Sequence, residues 1–164
     1  MSQRNYYRGF SLVELIVVMV IIGLLASMAI PRISRGSKGS AEAALEGDLR
    51  IIRQAIILYA AEHSNTFPGP TADRVVAQLT QYSNRLGSTS TKRTGAYVFG
   101  PYLVAIPPCP FGENAGSSDI LIDNGNTPPK VNTSGGEGWA YNPNTGEFIA
   151  NTEEKTEAEM AMGG

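Results

Sequence analysis

The stretch from Phe10 to Ile30, FSLVELIVVMVIIGLLASMAI, is apolar along almost its whole length and holds a single charge, Glu14. As a helix rising 1.5 Å per residue it matches the roughly 30 Å hydrocarbon core of a bilayer. Between Leu15 and Ile30 only Gly23 and Ser27 are not apolar. Residues 1–9 before it are polar, with Arg4 and Arg8 as their charges. The pattern departs from a secretory signal in two ways. The apolar stretch is longer than the usual 7–15 residues, and Ala29-Ile30-Pro31 makes a poor cleavage site. The stretch is therefore expected to stay on the mature chain. The positive-inside rule then places the N-terminus in the cytoplasm, although Arg32, Arg35 and Lys38 on the far side weaken the bias.

Glu14 is the anomaly in this stretch. A carboxylate at the centre of a bilayer costs about 3 kcal/mol on the insertion scale and less near the headgroups. It is either an interfacial charge without a partner or one half of a specific pair.

The residues Gly9-Phe10-Ser11-Leu12-Val13-Glu14-Leu15 resemble the cleavage and assembly signature of type IV pilins and type II secretion pseudopilins. In that signature a short basic leader ends in Gly, and Phe, a hydroxyl residue, Leu, an aliphatic residue, Glu and an apolar run follow. Pro31 falls where the family commonly has a helix-kinking proline. The resemblance implies that a prepilin peptidase of the inner membrane cuts between Gly9 and Phe10 and that the new amine of Phe10 is N-methylated. It also implies that Glu14 pairs with the Phe10 amine of a neighbouring subunit in a filament. Unpaired, either charge is expensive among packed apolar helices. The pair would set register and recruitment more than net stability.

Beyond Ile30, Pro31 can kink the helix, and Gly23, Gly36 and Gly39 are further weak points. Apolar periodicity then returns. Leu45, Leu49, Ile52, Ile56 and Tyr59 form a stripe that Ala41, Ala44, Ile51, Ala55 and Leu58 widen. One long helix is expected from Phe10 to about Ser64, bent or partly melted in the middle, its second half laid on a sheet. His63 is expected to sit as a cation near the last carbonyls.

A short second helix is expected over 71–83, with Thr71 as its N-cap. A polar surface loop is expected over 84–94. Residues 95–112 are aromatic and aliphatic but interrupted by Pro101, Pro107 and Pro108, so they read as an extended covering segment. Short strands are expected at 120–122 and 129–131. The clearest pair is Trp139–Asn142 with Glu147–Ala150, a hairpin turned by Pro143-Asn144-Thr145-Gly146.

The fold expected is α+β and pilin-like, a long N-terminal helix packed on a small antiparallel β-sheet. Residues 1–9 read as a cleaved leader, 10–31 as the transmembrane and filament-core helix, and 32–64 as its amphipathic second half. Residues 65–151 read as the globular head with its C-terminal hairpin, and 152–164 as an acidic, disordered tail.

Other chemistry has little support. A net charge of −2 argues against nucleic acid as a partner. The lone Cys109 rules out an intrachain disulfide. No nucleophile elbow, P-loop or dinucleotide turn is present, so no enzyme activity is expected. The resemblance to major pseudopilins implies a calcium ion in the C-terminal loop, and Asp119, Asp123 and Asn124 are the candidates here. A plain solvated loop is the alternative. The function expected is a subunit of a periplasmic pseudopilus, with a type IV pilin or a membrane-anchored binding domain as alternatives. Its partners would be copies of itself, other pseudopilins, the prepilin peptidase and the inner-membrane secretion platform. It would pass the inner membrane once, with a periplasmic head.

Overall fold

A computed structural model describes residues 11–154, with no side-chain placement for residues 26–37. The leader 1–9, Phe10 and most of the tail, 155–164, lie outside the described residues. The chain divides into two compact units, Met1–Lys38 and Gly39–Gly164.

The first unit holds the start of helix α1, which spans Leu12–Glu62. The helical assignment continues through Gly23, Pro31, Gly36 and Gly39, so the expected melted middle is absent from the secondary structure. Pro31 still lacks the N–H that would reach the Ser27 carbonyl, which leaves one rung of the ladder open.

In the second unit the later turns of α1 supply one wall of the core. Leu45, Ile52, Ala55, Ile56 and Tyr59 are buried, with Ala41 and Leu49 packed alongside. These follow the expected stripe. Ile51 and Leu58, expected to widen it, are instead 54% and 49% exposed. Helix α1 closes with Ser64 and Asn65 in the left-handed region, at φ 57° and 62°. The Asn65 N–H reaches back to the Ala60 carbonyl at 2.8 Å, the six-to-one bond of a Schellman ending. His63 is more deeply placed than a surface cap. It is buried, with Nδ1 2.8 Å from the Tyr59 carbonyl and Nε2 2.9 Å from the Asn84 carbonyl. Its ring stacks on Tyr59 with centroids 3.9 Å apart.

Helix α2 covers Ala72–Thr80 and turns Val75 and Leu79 into the core. Thr71 is its N-cap residue, but its hydroxyl makes no capping bond. The helix is shorter than expected. Tyr82–Ser83 forms β1, which pairs antiparallel with β2, Thr89–Ser90. The expected polar loop is thus a small hairpin, held by Asn84, whose side-chain oxygen accepts from the Leu86 and Ser88 N–H groups.

The main sheet has the order β3-β4-β5, from Ile120–Ile122, Trp139–Asn142 and Glu147–Ala150. The β4–β5 hairpin forms as expected, with Trp139 opposite Ala150 and Asn142 opposite Glu147. The β3–β4 pair is parallel, which makes the sheet mixed where an antiparallel one was expected. The connection over 123–138 exceeds the dozen or so residues that a parallel crossover needs. The expected strand at 129–131 is absent. Pro128 and Pro129 have no N–H to give, and the Lys130 N–H goes to the Asp123 carboxylate at 2.7 Å.

Every residue of β4 is buried. Trp139 donates from Nε1 to the Pro107 carbonyl at 2.9 Å, and Tyr141 from its hydroxyl to the Pro68 carbonyl at 3.0 Å. Segment 95–112 therefore covers the sheet as expected, burying Ile106, Cys109 and Phe111. Arg53 ties α1 to β5 through an Nε–H bond to the Phe148 carbonyl at 2.9 Å. At the hairpin turn Gly146 has φ +76°, and a Cβ there would sit 2.4 Å from the Phe67 ring, so the turn requires glycine.

Candidate functional site

The first turns of α1 present the candidate site. The Leu15 N–H bonds the Ser11 carbonyl at 3.2 Å, so the helix is under way by Glu14, in its first turn. Negative charge is favourable there, because the first N–H groups of a helix point toward it. The side chains around it are exposed on every side of the helix. Leu12 is 76% exposed, Met19 68% and Leu25 63%. Burying such side chains is worth about 1.5–3 kcal/mol each, a large driving force toward an apolar environment. Glu14 has no hydrogen bond or ion pair among the described residues. A Cβ on Gly23 would meet nothing within 4 Å among the described residues. Gly9 and Phe10, the processing residues, lie outside the described residues, and of Pro31 only the helical backbone is described. Among the described residues no helix is long and apolar enough to cross a membrane. The run 10–31 extends past them at Phe10 and into residues 26–37.

The calcium candidates do not come together. Asp119 and Asp123 flank β3. Four steps of strand at about 3.3 Å each put their backbones about 13 Å apart, whereas calcium holds its oxygens at about 2.3–2.6 Å. The Asp123 carboxylate is already engaged. One oxygen accepts from the Gly125 N–H at 2.9 Å, and the other from the Asn126 amide and the Lys130 N–H, both at 2.7 Å. These donors favour the ionised form, the Lys130 N–H most, then the Asn126 amide, and they hold the carboxyl down to about 2. The Asn124 carbonyl accepts from the Asn144 amide at 3.0 Å. Among the described residues no three His, Cys, Asp or Glu side chains cluster as a metal site would require. Asp119, Asp123 and Asn124 therefore do not converge as the ligands of one calcium ion would.

Buried asparagines hold this loop instead. Asn142 is 2% exposed. Its amide donates to the Asn126 carbonyl at 2.7 Å, and its oxygen accepts from the Asn144 N–H at 2.8 Å. Asn151, 1% exposed, accepts from the Asn132 N–H and donates to the Asn132 and Glu137 carbonyls, at 2.7–2.8 Å. Sequence reasoning missed both. The available signal was that the strands of the hairpin, WAYN and EFIA followed by Asn151, each run into an asparagine.

Residues 4–30 match the prokaryotic N-terminal methylation motif. No curated protein and no solved structure matches the chain. The matched residues include the Gly9-Phe10 junction, Glu14 and the whole apolar stretch from Phe10 to Ile30. The chain thus carries a type IV pilin-like prepilin signal, which indicates a prepilin-peptidase substrate with an N-terminal membrane anchor.

Proposed function

We propose that this chain is a structural subunit of a type II secretion pseudopilus, processed between Gly9 and Phe10 and assembled into a periplasmic filament. The observation that carries the reading is a methylation motif over residues 4–30 on a helix whose exposed apolar surface surrounds one carboxylate, Glu14. Cleavage at Gly9 would free the Phe10 amine four residues before Glu14 in the sequence. Between subunits they become complementary ends of a contact, satisfied only when neighbouring helices sit in register.

Further along α1 the same side-chain logic applies. Ile51, Ile57 and Leu58 are 49–64% exposed, and Leu49, Arg50 and Arg53 share a shallow groove with the latter two. An apolar stripe left open on a head that buries its other stripe supports packing against further helices. The secretion assignment over a surface pilus rests on the single cysteine, which cannot form an intrachain disulfide, and on the GPYL and GWAYNPNTGEF segments. The chain is read as the substrate of a peptidase and as a structural part, without catalysis of its own.

Glu14→Ala tests the reading. The variant inserts in the membrane and is cleaved at wild-type levels, while filament yield, measured by shearing and immunoblotting, drops at least about tenfold. Filaments at wild-type yield would remove the pairing role.

A further inference from the structure

A second concave site lies in the head, where the end of α1, the turn before α2, α2 itself and the β1–β2 hairpin meet. Its volume is about 350 Å³, within the usual range for small ligands. Tyr59 is part of its lining and is only 2% exposed. The Tyr59 hydroxyl has no hydrogen-bond partner among the described residues, yet no buried side-chain oxygen is left unsatisfied there. The hydroxyl therefore opens into the cavity. Gln78 beside it is tied to the backbone, its oxygen accepting from the Gly69 N–H and one amide hydrogen going to the Gly87 carbonyl. Gly87 has φ +75°, and a Cβ on it would stand 2.7 Å from the Tyr59 hydroxyl, so glycine keeps this space open.

The charges around the cavity have one sign. Arg74 from α2 and Arg85 from the hairpin line it, both exposed and neither hydrogen-bonded nor ion-paired among the described residues. Among the described residues no carboxylate lines it. The Arg74 charge reaches the Tyr59 phenol, partly opposing the effect of burial, which pushes that hydroxyl up. Phe67 and Leu86 add apolar wall.

We propose that this cavity binds a carboxylate joined to a short apolar body. The oxyanion would be held by the Arg74 and Arg85 guanidiniums and the Tyr59 hydroxyl, with the body against Phe67 and Leu86. Two guanidinium forks without counter-ions suit a carboxylate, and the buried phenol supplies the neutral donor that fixes its position. Two sources share this chemistry, a free organic acid and a glutamate side chain on a peptide. The sequence after Asn151 offers the second, with Glu153, Glu154, Glu157 and Glu159.

The test is calorimetric titration of the full chain in a non-ionic detergent, at fixed ionic strength, with benzoate in one arm and a capped peptide of residues 152–160 in the other. Saturable binding with a Kd on the order of 1 mM or tighter is expected in at least one arm, and the arm that saturates identifies the source. Arg74→Gln and Arg85→Gln each weaken it about tenfold, and Tyr59→Phe about threefold or more. Unchanged Trp139 fluorescence in each variant verifies folding. Absence of saturation in both arms, or full affinity in the Arg74→Gln, Arg85→Gln double variant, overturns the proposal.

Discussion

If asparagines rather than a cation hold the 123–130 loop, then Asn142→Ala should loosen the head and calcium should not restore it. The magnitude follows from the bonds removed. Asn142 makes two good hydrogen bonds, at 2.7 and 2.8 Å, and a long one to Thr127 at 3.5 Å. A net hydrogen bond contributes about 1 kcal/mol, and a buried group left without a partner costs about 1–3 kcal/mol. The abandoned partners, the Asn126 carbonyl and the Asn144 N–H, belong to exposed residues, so water recovers part of the loss. The expected destabilisation is about 2 kcal/mol. For a unit the size of Gly39–Gly164 each kcal/mol shifts Tm by about 3–5 °C, giving a fall of about 6–10 °C. The only tryptophan, Trp139, is fully buried in the neighbouring sheet. Its fluorescence during thermal unfolding in detergent reports the transition directly. The wild-type midpoint should stay in place with calcium or with a chelator. Recovery of the Asn142→Ala midpoint on adding calcium would refute the reasoning. So would a chelator lowering the wild-type midpoint as far as the substitution does.

Two further outcomes follow from the same core and loop. Tyr141→Phe removes the buried bond to the Pro68 carbonyl and should lower stability by about 1–2 kcal/mol, seen as a lower urea midpoint with an unchanged slope. Asp123 has its folded carboxyl held near 2, below the ordinary 3.8. Its contribution to loop order is therefore complete above about pH 3.8 and is lost as the pH falls through 2. A carbon-detected titration of the Asp123 carboxyl should show a midpoint near 2, and a midpoint at the ordinary value would show that the three donors do not hold it.

Local signals made part of this fold legible. The β4–β5 hairpin was readable because Trp139 and Tyr141 alternate and Pro143 to Gly146 spell a turn. The second half of α1 was readable because its apolar residues recur at steps of three and four. The β1–β2 hairpin was not, because its strands are Tyr82-Ser83 and Thr89-Ser90, too short and polar to carry a period. The parallel pairing of β3 with β4 was hidden because nothing in Ile120–Ile122 indicates its distant neighbour. The separation of Asp119 from Asp123 across β3 was hidden because composition counts oxygens and carries no distances. The Tyr59 cavity draws residues from the end of α1, the turn that follows it, α2 and the β1–β2 hairpin, so no sequence window contains it. Glu14 and the apolar run, by contrast, were evident at once, because their chemistry is contained in consecutive residues.

The central claim is that residues 4–30 act as a processing and assembly signal, and the mass of the mature chain tests it most directly. Co-expressed with a prepilin peptidase, the protein should lose residues 1–9 and gain one methyl group, with N-methylated phenylalanine, Phe10, as the first residue released on sequencing. An intact Met1, or a cut after Ala29, would contradict the account.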